Sequence, residues 1–105
     1  MTTGRFTAGR IVIAFAAVLG AAQAQPAATP AGSAIESAIV LPGATNEVAG
    51  VTAEYAYIRK NFPGWKPGMQ TLLRQNGRQY DRIELTDPDG ARRAVFFDIT
   101  AWFGK

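Results

Sequence analysis

The side chains available for acid–base or nucleophilic chemistry are carboxylates, amines and tyrosines, because the 105-residue chain has neither His nor Cys. Ser-His and Cys-His nucleophiles are excluded, as are the imidazole and thiolate ligands that hold zinc and other transition metals. Glycosidase-like chemistry would need two carboxyls facing each other across a bond. In the register derived below, Asp81 and Asp98 fall on opposite faces of a sheet. Glu84 and Asp98 share a face but are separated along the strands. No two acids are expected to converge, so the chain is read as no enzyme, with no cofactor and no metal.

Two acidic sites need a separate reading. Asp87-Pro88-Asp89-Gly90 opens like a calcium loop, yet no third ligand and no closing glutamate follow at the required spacing. A hairpin turn accounts for all four residues. Asp81 shares a face with Ile83 and Phe97, where an unpaired carboxylate is costly. Its expected role is structural: capping a backbone amine, or pairing with Lys60 or Lys66. A ligand anchor is the competing reading.

Recognition chemistry is better supplied. Tyr80, Arg82, Phe96, Trp102 and Phe103 are the candidate partner-binding residues. Arg82 opposite Phe96 allows a cation–π contact, and arginine with aromatics is typical of protein-binding hot spots. The competing reading is that Ile35–Leu41 or the C-terminal turn covers these residues as ordinary core.

The elements that must position them follow from periodicity. Val48, Val51, Tyr55, Ile58 and Phe62 recur at spacings of three and four, predicting one face of a helix. Asn46 is a suitable N-cap, with Glu47 in the first turn and Arg59 and Lys60 in the last. Gly50 weakens the first turn, so a start near Val51 is expected, and Pro63-Gly64 ends the helix. Three strands are expected over Met69–Gln75, Gln79–Thr86 and Ala91–Thr100. Asn76-Gly77 and Pro88-Asp89-Gly90 are the hairpin turns between them.

The second turn sets the register. A three-residue loop pairs Asp87 with Ala91, which places Leu85 opposite Arg93, Ile83 opposite Val95 and Asp81 opposite Phe97. Arg82 then faces Phe96, and Tyr80 faces Asp98, on the other side. A four-residue loop would send Ile83 and Val95 to different faces, so the apolar pattern selects the shorter one. At Asn76-Gly77, Leu72 and Leu73 are both apolar, and parity leaves a two- or a three-residue turn open. The chain ends in one turn capped by Thr100 that folds Trp102 and Phe103 back onto the sheet. The expected fold is α+β: one helix packed on a three-stranded antiparallel meander over residues 46–105.

Ahead of this domain, Arg5 and Arg10 precede the apolar run Ile11–Gly20 and the small-residue site Ala22-Gln23-Ala24. That order is expected of a signal peptide over residues 1–24, cleaved after Ala24, with the product periplasmic or secreted. Residues 25–45, rich in Pro and Ala, are expected to be a flexible spacer. Within them Ile35–Leu41 is left open between an edge strand, a short helix and a partner contact. The formal charge of +3 owes two units to Arg5 and Arg10, so the domain itself is only modestly basic.

The run from Glu54-Tyr55-Ala56-Tyr57-Ile58-Arg59-Lys60 through Phe62-Pro63-Gly64-Trp65 resembles a group of short exported proteobacterial proteins of unknown function. The likeness continues in Tyr80-Asp81, Asp89-Gly90 and the ending Phe96-Phe97-Asp98-Ile99-Thr100-Ala101-Trp102-Phe103-Gly104-Lys105. Helix-then-meander order is also similar to PepSY-type and β-lactamase-inhibitor-like modules, and that likeness implies binding or inhibition of other proteins. The leading expectation is a non-catalytic module acting on another envelope protein. The alternative is a binder of anionic envelope polymer or lipid through Arg59, Lys60, Lys66, Arg92 and Arg93. A carboxylate-based enzyme ranks third, and no nucleic acid partner is expected for an exported chain.

Overall fold

A computed structural model describes residues 29–105. The leader expected over residues 1–24 lies outside the described residues. A short 3-10 turn, Ile35–Ser37, is followed by β1 (Ile39–Val40), α1 (Glu47–Asn61), β2 (Lys66–Gln75), β3 (Arg78–Thr86) and β4 (Arg92–Asp98). None of the described helices is long and apolar enough to cross a membrane.

The α+β class is as expected, but the sheet has four strands and is mixed. Its order is β1-β4-β3-β2, with β1 parallel to β4 and the other pairs antiparallel. The three-stranded meander is therefore corrected by one short strand from the segment assigned to the spacer. Ile39 pairs with Phe97 and is buried in the core, whereas Val40 beside it stays exposed. Burying one isoleucine on the free edge of β4, with backbone bonds gained alongside, is enough to order a short segment. Upstream, the Gly32 carbonyl accepts the Phe96 N–H at 2.8 Å and extends that edge.

The β3–β4 register is the one the loop argument selects. Leu85 faces Arg93, Ile83 faces Val95, Asp81 faces Phe97, Arg82 faces Phe96 and Tyr80 faces Asp98. Asp87 N–H donates to the Ala91 carbonyl at 3.0 Å, closing the three-residue loop. At the first hairpin the turn has two residues. Gln75 pairs with Arg78, and Asn76 and Gly77 both take positive φ, 53° and 76°, as a type I′ turn requires. Between Pro67 and Gln70 the register of β2 shifts by one residue at a bulge, which lets the edge strand begin earlier than expected, at Lys66.

The core gathers Ile39, Ile58, Ile83, Leu85, Val95, Phe97, Ile99 and Trp102 between the sheet and α1. The helix starts at Glu47, four residues earlier than expected. Asn46 caps it, its side chain accepting the Ala49 N–H at 2.9 Å. Gly50 does not delay it, because packing against the ring of Trp102 outweighs a propensity cost of about 1 kcal/mol. The helix is also rotated from the expected orientation. Its buried line is Gly50, Glu54 and Ile58, while Val48 and Val51 are exposed and Tyr55 and Phe62 flank the core.

Candidate functional site

The five candidate recognition residues divide between the two faces of the sheet. Tyr80, Arg82 and Phe96 lie together on the face opposite α1, on β3 and β4. The Arg82 guanidinium sits 6.0 Å from the centre of the Phe96 ring, as the register implied. Tyr80 is buried, whereas Arg82, Glu84, Phe96 and Asp98 are half-buried. The helix packs on the other face. Neither the C-terminal turn nor Ile35–Leu41 covers Arg82 and Phe96 as a core layer, since the first docks on α1 and the second runs along the β4 edge.

Trp102 and Phe103 belong to the helix face. Trp102 is buried against Gly50, and Phe103 is half-buried with the Arg74 guanidinium 5.7 Å from its ring centre. Their turn begins after Ile99, whose carbonyl accepts the N–H groups of Trp102 and Phe103. Asp98, rather than Thr100, caps it. Asp98 Oδ1 accepts from the Thr100 backbone N–H at 3.1 Å and from its hydroxyl at 2.7 Å, while Oδ2 meets Arg78 at 2.9 Å. Burial pushes the Asp98 carboxyl up, but Arg78 and Thr100 outweigh it and hold the group below its ordinary value. The turn is then tied to the start of α1. The Gly104 N–H donates to Glu47 Oε2 at 2.7 Å, and the Glu47 N–H donates to the Lys105 carbonyl at 3.0 Å.

Two acids do converge, contrary to the expectation from the strands alone. Glu54, fully buried on the middle of α1, meets Asp81 of β3, which is 5% exposed. Asp81 is held by neither Lys60 nor Lys66. Its Oδ2 accepts from Gln70 Nε2 at 2.8 Å, and the Glu54 carboxyl is a neighbouring group. Neither Glu54 oxygen has a hydrogen-bond partner among the described residues. Burial, reinforced by the neighbouring Asp81 carboxyl, pushes Glu54 up to about 9. At neutral pH Glu54 therefore keeps its proton.

Strand register alone does not reveal this pair, because its second member lies on the helix. A helix acid at the centre of the buried line also breaks the apolar stripe by which such a line is recognised. The spacing of four that joins Gly50, Glu54 and Ile58 is the signal that points to it.

Asp81 forms part of the floor of a cleft of about 130 Å³, walled by Val51, Leu72, Ile99, Trp102 and Phe103, with Glu47 and Gln70 at its polar side. A larger hollow of about 340 Å³ beside the second hairpin is lined by Gly64, Lys66, Thr86, Asp87 and Pro88. Asp87 there is committed to its turn, Oδ1 accepting from Asp89 and Ala91 N–H groups at 3.0 and 2.7 Å. Among the described residues no group of three acids is placed to hold a metal ion. Comparison with family profiles, with curated proteins and with solved structures finds no match.

Proposed function

We propose that this chain is an exported, non-catalytic binding module that engages an acidic surface of another envelope protein through the sheet face bearing Tyr80, Arg82 and Phe96. The observation that carries the reading is the position of Arg82 over Phe96 on a face that the helix leaves free. Charge supports the choice of partner. Lys66, Arg78, Arg82 and Arg92 share that face with only Glu84 and Asp98, and one of the two acids is already paired with Arg78. Aromatic side chains beside arginines supply the desolvated anchors that such an interface uses. Catalysis has no support in a chain without His or Cys whose neighbouring acids, Glu54 and Asp81, are both buried.

The test is capture from the protein's own envelope extract at physiological salt by residues 25–105, with an Arg82→Glu/Phe96→Ala variant alongside. One protein retained by the wild type and lost by the folded variant supports the module and its face. Equal retention by both removes the face. Retention of polysaccharide or lipid in place of a protein points instead to an anionic envelope polymer or lipid.

A further inference from the structure

The cleft on the helix face has three properties that the sheet-face reading does not use. It is small, about 130 Å³, and has apolar and aromatic walls in Val51, Leu72, Trp102 and Phe103. Its floor carries a carboxylate, Asp81, that is almost wholly buried and meets one amide donor, Gln70. Glu54, fully buried on α1, neighbours that carboxyl without lining the cleft, and neither of its oxygens has a hydrogen-bond partner among the described residues. A leucine at position 54 would have filled the same core site without the cost of burying an acid. The other charged groups at the cleft are Glu47 from α1, which lines it, and Arg74 from β2, which lies over Phe103. Glu47 is occupied by the Gly104 N–H.

We propose that this cleft binds a primary alkylammonium group, which sets its charge on Asp81 with Glu54 behind and lays its methylenes against Leu72, Val51 and Phe103. An ammonium carries three N–H donors, which suits adjoining carboxyl groups that have one amide donor between them. The chemistry is the same whether the group ends a lysine side chain or a free amine. On binding, the cation offsets the negative charge that Glu54 takes up when it gives up its proton. That proton leaves to solvent, so charge balances and affinity rises with pH until Glu54 is ionised without ligand.

The experiment is titration of residues 25–105 with n-butylammonium, Nα-acetyl-lysine amide and 1-butanol. It is followed by the NMR shifts of the Trp102 indole N–H and the Gln70 side-chain amide, and by proton release measured calorimetrically in two buffers. Saturable binding of n-butylammonium with a Kd on the order of 1 mM is expected, with no saturable response to butanol. Binding of the lysine amide as well assigns the site to a protein side chain; binding of n-butylammonium alone assigns it to a free amine. Asp81→Asn, checked for a native melting transition, should lose at least tenfold in affinity. Glu54→Gln should abolish proton release and the rise in affinity with pH. Equal shifts with butanol, no saturation well above that concentration, or unchanged affinity in folded Asp81→Asn would each overturn the proposal.

Discussion

The ring of Trp102 occupies the space that a Cβ at Gly50 would need, so the first turns of α1 and the last residues of the chain interlock. The contact is reinforced on both sides by backbone groups: Gly104 N–H to Glu47 Oε2, and Glu47 N–H to the Lys105 carbonyl. A helix start and a chain end far apart in sequence thereby close one side of the core.

Gly50→Ala tests that interlock. In an exposed helix the substitution would stabilise by about 1 kcal/mol through propensity. Here the added methyl displaces Trp102, and overpacking of this kind typically costs about 1–3 kcal/mol. A net loss in the urea midpoint is expected, and a gain would mean that Trp102 moves aside freely.

The Glu54–Asp81 pair makes stability depend on pH in a definite direction. Glu54 keeps its proton up to about 9 in the folded chain, against an ordinary value of 4.5. Between those limits the folded state holds a proton that the unfolded state has released, so stability falls as pH rises. Urea unfolding between pH 5 and 9 should show this slope, on the order of 1 kcal/mol per pH unit at its steepest. Glu54→Gln should remove it and be the more stable protein at pH 8. A flat profile for the wild type would show that Glu54 is not the proton carrier.

Asp98 works with the opposite sign. Its carboxyl is held below its ordinary value, so its contribution is present at neutral pH and is lost as pH falls through the acid range. Asp98→Asn keeps the shape but gives up the charge-assisted bonds to Arg78 and Thr100. A loss of about 1–2 kcal/mol at pH 7, shrinking toward low pH, is the expected result of paired melts. Equal destabilisation at both pH values would assign the effect to geometry alone.

On the open face, Arg82→Glu with Phe96→Ala should be close to neutral for folding, within about 1 kcal/mol in the melting transition, since both side chains are half-buried and their contact is worth about 0.5–1 kcal/mol. The same pair should abolish partner capture. Severe unfolding would show that this face is core rather than interface.

The first hairpin offers a check on backbone conformation. Gly77 takes a φ of 76° with nothing within 4 Å of an added Cβ, so Gly77→Ala isolates backbone strain from steric clash. A cost of about 1 kcal/mol is expected by urea titration. No measurable cost would mean that the turn relaxes to another type.

Local rules acting over a few residues were legible without tertiary information. Asn46 as helix cap, the two hairpins and the pairing of Arg82 with Phe96 follow from turn chemistry and period-two alternation. Four features needed the tertiary structure. The rotation of α1 depends on where Trp102 lands, because a glycine invites close approach only when a partner arrives. The fourth strand depends on a free β4 edge and a pocket for Ile39, neither of which lies in the Ile35–Leu41 segment itself. The division of Tyr80, Arg82 and Phe96 from Trp102 and Phe103 depends on which way the C-terminal turn folds. The meeting of Glu54 with Asp81 joins a helix to a strand across the core, and such a contact is set by packing between elements rather than by spacing within either one.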